Sequence, residues 1–208
     1  MEVLDTFLSL LLVFVIINVI RFKRNVALFY NYFAKRYNKR MHARKKILFE
    51  GLNQLKAKRG DGRVVVLEVG SGGGANFEFF PSGSDVICLD PNRHFKGMVF
   101  SNVSKYSGIR LLEFHQGAAE NMRELVKSDS VDAAVCTLVL GSVKDLARAL
   151  QEILRVLKPV SRPTIHTRSV HGNRNSHSHG IPMGMGIVLM GMGIAYFIGE
   201  NKIPTGIV

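Results

Sequence analysis

Leu67 to Pro81 reads LEVGSGGGANFEFFP, and its reading decides the fold. Four of the five residues from Gly70 to Gly74 are glycine, and an acid, Glu68, stands just before them. The apolar run Val64–Val65–Val66–Leu67 leads in. Val64–Val69 is short and β-branched, which predicts a buried strand, and the glycines form the turn after it. Asn76–Phe80 opens a helix that Pro81 limits. A second apolar run, Val86–Ile87–Cys88–Leu89, ends in Asp90, 20 positions after Gly70. A bare turn lets a ligand approach the backbone without meeting a Cβ, and the amides that follow point at it. An acid at the tip of the next parallel strand accepts hydrogen bonds from a ribose hydroxyl pair. Strand, turn and acid together imply a nucleoside-containing cofactor at the carboxyl edge of a parallel sheet.

Gly70-Ser-Gly72-Gly-Gly-Ala75 also satisfies the dinucleotide pattern G-x-G-x-x-G/A, so an NAD-linked oxidoreductase is one reading of the loop. Three features favour S-adenosyl-L-methionine. Glu68 lies two residues before Gly70, as in the E/D-x-G-x-G-x-G loop of class I methyltransferases. A third strand candidate, Leu111–Phe114, is followed by Gln116-Gly-Ala-Ala-Glu120. A fourth, Val131–Cys136, leads to a helix that ends Leu150-Gln-Glu-Ile-Leu-Arg-Val-Leu-Lys-Pro159.

Outside this core the chain is uneven. It has 208 residues and a net charge of +12. Arg21 to Arg63 holds 14 Lys/Arg and 2 Asp/Glu, whereas Val64 to Pro159 holds 10 and 11. The cleft region is near neutral, which argues against nucleic acid as partner. Phe7–Ile20, FLSLLLVFVIINVI, has only Ser9 and Asn18 as polar residues. Glu2 and Asp5 precede it where a signal peptide would be basic, so it reads as a retained membrane anchor. In the basic stretch that follows, Phe29, Tyr30, Tyr32, Phe33 and Tyr37 alternate with Lys35, Arg36, Lys39 and Arg40. That mixture suits a lipid headgroup layer and places the rest of the chain on the cytosolic side. Cys88 and Cys136 offer neither a disulfide framework nor a metal spacing. Asn102-Val-Ser104 matches a glycosylation acceptor that a cytosolic domain leaves unmodified.

The motifs LEVGSGGGANFEFFP, LDPN, AAENM, SVDAAVCTLVLGSVKD and ILRVLKP, in that order behind an N-terminal anchor, resemble the small membrane-anchored methyltransferase-like proteins of the endoplasmic reticulum and lipid droplets, which are thiol S-methyltransferases. The likeness covers roughly residues 1–159 and is close from Val64. It implies an α/β, Rossmann-like class I methyltransferase fold, a parallel sheet with flanking helices, truncated after the fourth strand. The segments are a membrane anchor (1–20), a basic aromatic juxtamembrane segment (21–63), the S-adenosylmethionine domain (64–159) and a divergent tail (160–208). By the same resemblance Glu68, Gly70, Ser71, Gly72 and Gly74 line the methionine and ribose end of the cofactor. Asp90, the candidate catalytic position, holds the ribose, flanked by Pro91 and Asn92. Ala118, Ala119 and Glu120 border the adenine, and Cys136–Thr137 face the transferring methyl. The family's loop often has Cys and Thr where this chain has Ser71 and Gly73. The implied reaction moves a methyl from a sulfonium to a thiolate, needs no triad, and leaves His94 and His115 as candidates for proton removal.

From Val160 the chain departs from the family. VSRPTIHTRSVHGNRNSHSHG shows no strand or helix period, and its histidines, His166, His171, His177 and His179, form no metal-ligand pattern. Ile181–Gly199 is rich in Gly and Met and reads as a non-homologous end or a second membrane contact. Two functions follow: a membrane-associated methyltransferase of small apolar thiols, or a catalytically impaired membrane-anchored cofactor-binding or regulatory fragment.

Overall fold

The computed structural model describes residues 2–57, 60–159, 186–190 and 194–198. The quoted stretch begins with β1 (Val64–Val69), and β1 is central because its neighbours on both sides are parallel. β2 (Ser84–Asp90) pairs with it on one side, and β3 (Ile109–Gln116) lies beyond β2. β4 (Ala133–Thr137) pairs with β1 on the other side. Val69 sits level with Leu89 and with Cys136, so the carboxyl ends of three strands open at one height.

β1 is apolar almost throughout because it is covered on both faces. Val64 and Val66 turn to one core, shared with Val86, Cys88, Phe77 and Val99. Leu67 and Val69 turn to the other, shared with Leu89, Met122 and Ile153. The first face is covered by α2 (Phe95–Val103) and by the end of the N-terminal helix. The second is covered by α3 (Leu146–Val156), which starts where the Asp145 carboxylate accepts a hydrogen bond from the Arg148 amide at 3.0 Å. That is an N-cap, and it satisfies one of the helix's free donors. The predicted helix after Asn76 is only one 3-10 turn, Phe77–Phe79, since Pro81 follows at once.

The N-terminal helix, α1, runs from Glu2 to Ala57 and bends by 44° between Thr6–Asn18 and Arg21–Ala57. No single described helix is long and apolar enough to cross a membrane, although this bent pair together has the length and composition. Its first part is exposed: Leu10 and Phe14 are each more than 60% exposed. Its last part is core, with Leu48, Phe49 and Leu52 buried against Phe79 and Phe80. Burying each such side chain contributes about 1.5–3 kcal/mol. The segment read from sequence as juxtamembrane is therefore, over its C-terminal half, part of the domain's packing.

The parallel part of the sheet ends at β4, as expected. Beside it four strands alone would leave an open edge, and the structure fills it from the tail. β5 (Gly186–Met190) and β6 (Ile194–Ile198) form an antiparallel pair, and β6 runs antiparallel along β4 from Ala133↔Ile198 to Thr137↔Ile194. The sheet order is β3-β2-β1-β4-β6-β5. The tail thus supplies a partner for an edge that four strands alone leave open. The tail histidines lie outside the described residues.

Candidate active site

The glycine turn leaves β1 in conformations that L-residues rarely adopt. Gly70, Gly72 and Gly74 have φ of 65°, 51° and 75°. At Gly70 a Cβ would also fall 2.5 Å from Val139 Cγ2. At Gly73 the obstacle comes from α1, where a Cβ would lie 2.4 Å from the Asn31 side-chain oxygen. The bare turn therefore serves two approaches at once, that of a ligand and that of α1.

Asp90, at the tip of β2, braces this turn. Its carboxylate accepts from the Gly72 amide at 3.0 Å and from the Asn92 amide at 2.8 Å. Burial pushes its pKa up, and the two amide bonds oppose that. Asn92 in turn donates from its side-chain Nδ2 to the Lys23 carbonyl at 2.8 Å, tying the tip of β2 to α1.

Glu68 is 1% exposed, and burial raises its pKa to about 8. Its Oε1 accepts from Asn76 Nδ2 at 2.7 Å, while Oε2 has no partner among the described residues. Asn76 Nδ2 also reaches Thr137 Oγ1 at 3.0 Å. On the far side of Asn76 lies Lys45 of α1, itself 1% exposed. Its ammonium donates to Asn76 Oδ1 at 2.5 Å and to Asn38 Oδ1 at 2.6 Å. Nζ also lies 5.5 Å from the Tyr37 ring centroid and 5.4 Å from that of Phe79. Burial lowers the Lys45 pKa to about 8, against the pull of Glu68 and Glu78.

These groups border one cleft of about 350 Å³ at the carboxyl edge of the sheet. It gathers Glu68, Gly70, Ser71, Gly72, Asp90, Pro91, Asn92 and Thr137, all named from the sequence. Other named residues lie outside its lining. Gly74 sits behind the turn, its missing Cβ facing the Phe77 ring. Ala119 is buried in the α3-side core and Ala118 is exposed beyond β3. Glu120 Oε1 accepts from the Lys144 amide at 2.6 Å and anchors the loop before α3. Cys136 is fully buried in the core, where its thiol is pushed up to about 12, so Thr137 alone of that pair meets the cleft. His94 precedes α2, and His115 Nε2 lies 2.7 Å from Glu113 on β3; neither lines the cleft.

The opposite wall comes from residues not assigned to the site from sequence. Val26, Tyr30, Phe33, Ala34, Tyr37, Asn38 and Lys45 of α1 line it, with Leu138 and Val139 after β4. The signal was present: these α1 positions recur at steps of three, four and seven, a single helix face. Leu138 is held at φ 57°, a left-handed conformation costly for a branched side chain.

A nucleoside cofactor with a cationic end fits these groups. Asp90 supplies a carboxylate at the strand tip, the turn leaves room for close approach, and Glu68, with one oxygen partnerless among the described residues, lines the cleft as a buried carboxyl that a bound cation would help to ionise. Among the described residues no cluster of His, Cys, Asp or Glu could hold a metal ion.

Parallel strands, glycine turn and strand-tip acid make up the Rossmann-like α/β fold that S-adenosylmethionine-dependent methyltransferases use. Residues 67–162 match the model of the methyltransferase domain family. It is 42% identical over 123 residues to the human thiol S-methyltransferase TMT1A, a stretch covering 59% of this chain and 49% of that protein. The human thiol S-methyltransferase TMT1B matches at the same identity and coverage. The chain thus spans about half the length of the curated relatives it matches. Among solved structures, the YcgJ protein of Bacillus subtilis aligns at 23% identity with a TM-score of 0.46, covering 57% of this chain and 47% of that one.

Proposed function

We propose that the protein is a membrane-associated methyltransferase that carries the methyl of S-adenosylmethionine to the sulfur of small apolar thiols. The observation that carries this reading is the cleft's division into two halves. One half, from Glu68 to Asn92, is polar backbone and carboxylate. The other, from Val26 to Tyr37 with Leu138 and Val139, is aromatic and aliphatic. The polar half suits a nucleoside with a charged tail, and the apolar half suits an uncharged acceptor.

Bound S-adenosylmethionine supplies a methyl on a sulfonium, a donor with its own leaving group. Asp90 would hold the ribose and Glu68 the cationic end. The protein's work is then to align the acceptor sulfur and keep water out, and Tyr30, Phe33 and Tyr37 are placed for both. Thiol acceptors agree with the names of the relatives. The exposed apolar first part of α1, and the cations that follow, support attachment to a lipid surface with the domain facing the cytosol, and the resemblance puts that surface at the endoplasmic reticulum and lipid droplets.

The test is substrate choice. The full chain in detergent micelles is given labelled S-adenosylmethionine with 1-propanethiol, phenol and glycine as acceptors. Label should pass to the thiol alone. Transfer to oxygen or nitrogen instead would refute the acceptor class, and binding of the cofactor without transfer would favour an impaired cofactor-binding fragment.

A further inference from the structure

Lys45 is the feature that the reading above leaves without a role. A nearly fully buried lysine is rare, and such residues are paired or have altered protonation. It comes from α1, yet it shares Asn76 with the motif acid Glu68, and all three line the cleft.

Its hydrogen bonds define what it can do. Both partners are amide oxygens, Asn38 Oδ1 and Asn76 Oδ1. Neither amide can turn away. Asn38 Nδ2 donates to the Ala75 carbonyl and to Glu78 Oε1. Asn76 Nδ2 donates to Glu68 and Thr137. A neutral amine keeps two hydrogens and so keeps both bonds. What changes between ammonium and amine is the third position, a hydrogen in one and a lone pair in the other. The site is therefore built to hold either form without rearranging.

The charged and titratable groups around it are few. Glu68 of β1 and Glu78 of the 3-10 turn are the acids acting on it, and Asp90 of β2 acts on Glu68 in turn. Tyr37 lies on its own helix. The Cys88 and Cys136 thiols on β2 and β4 are pushed upward by burial and stay protonated. A sulfonium brought into this cleft repels an ammonium and attracts a carboxylate. It therefore favours the amine at Lys45 and weakens Glu68 as a base.

We infer that Lys45 is the catalytic proton acceptor for the acceptor thiol, an inference that rests on the thiol reading above. The thiol S–H bond breaks and its proton passes to the lone pair of Lys45 Nζ, making an ammonium. The S–H electron pair stays on the acceptor sulfur and forms its bond to the methyl carbon. The carbon's bond to the sulfonium breaks, and that pair returns to the donor sulfur and cancels its charge. One positive charge has moved from donor to Lys45, and the proton leaves to water as the products depart.

The experiment uses the full chain in detergent micelles, labelled with 13Cε,15Nζ-lysine, and the variants K45R and K45M. The Lys45 resonance, identified by its loss in K45R, is titrated with S-adenosylmethionine and separately with S-adenosylhomocysteine. Its midpoint should be lower with the sulfonium than with the neutral thioether. K45R keeps a positive charge and hydrogen-bond donors but accepts no proton. It should methylate 1-propanethiol about 100-fold more slowly at pH 7. The gap should narrow to about tenfold or less at pH 9.5, where the fraction of thiol ionised unaided is on the order of 100-fold higher than at pH 7. K45M should show the same pH rescue. Equal midpoints in the two complexes, or a K45R rate at pH 7 equal to wild type, would overturn the inference. A wild type that binds both ligands but methylates no thiol at any pH would overturn the thiol reading itself, and the two failures are thereby told apart.

Discussion

At Glu68 an acid interrupts an otherwise apolar strand, and the structure shows what that does to its proton. Burial raises its pKa from the usual carboxylate range to about 8. A raised carboxyl stabilises the fold below the unfolded value and loses that contribution as pH rises through the folded one. In the ligand-free protein, stability should therefore fall between about pH 4.5 and pH 8. Glu68→Gln should remove this fall, melting above wild type at pH 8 but not at pH 4.5. Thermal unfolding across that range checks it. Gly70→Ala meets both a positive φ and Val139 and should destabilise by about 1–3 kcal/mol, seen as a lower midpoint in urea. Asp90 needs a gentler probe than alanine, because it also holds the Gly72 amide. Asp90→Asn keeps an acceptor there and removes the charge. Affinity for S-adenosylhomocysteine should drop on the order of 100-fold by calorimetry, from charge-assisted bonds of about 1.5–3 kcal/mol each. An unchanged affinity would mean that Asp90 is not the ribose acid. Glu68, Gly70 and Asp90 were legible in the sequence because each obeys a local rule of spacing. Lys45 and Asn76 were not, because 31 positions separate them and only tertiary packing joins them.

Among the elements, the four parallel strands were readable to within a few residues, since their apolar runs are bounded by turn residues. α1 was readable as apolar, then basic and aromatic, but not as a wall of the site. Its charges dominate the composition, and the stripe Tyr30, Phe33, Tyr37 serves an interfacial helix and a packed helix equally. The structure shows that Met41, Leu48, Phe49 and Leu52 continue that stripe into the core. Truncation should separate the two roles. Removing residues 2–20 should leave binding of S-adenosylhomocysteine within a few-fold of wild type while weakening attachment to vesicles containing anionic lipid. Removing residues through Lys46 takes away Tyr30, Phe33, Tyr37, Asn38 and Lys45. It should abolish binding, as read by calorimetry on any soluble product. Binding that survives the longer deletion would contradict a wall built from α1. Asn102 offers a check on orientation: its amide donates to the Gly74 carbonyl at 2.7 Å, and in cells it should carry no glycan.

For the molecule as a whole, the tail is the part least predictable from local pattern. Gly and Met at high density fit neither a strand alternation nor a helix stripe, and only the presence of an open β4 edge makes a strand of Ile194–Ile198 intelligible. Deleting residues 160–208 should expose that edge and give a protein that sediments as aggregate while the full chain does not. The central claim, that this cleft takes S-adenosylmethionine and passes its methyl to a thiol, has one direct measurement. The full chain in micelles is titrated with S-adenosylhomocysteine and with NAD in a calorimeter, then assayed for methyl 1-propyl sulfide from labelled S-adenosylmethionine and 1-propanethiol. Saturable heat with S-adenosylhomocysteine, none with NAD, and labelled sulfide are the predicted results. Saturable heat with NAD alone, or no labelled sulfide from a chain that binds S-adenosylhomocysteine, would contradict the account.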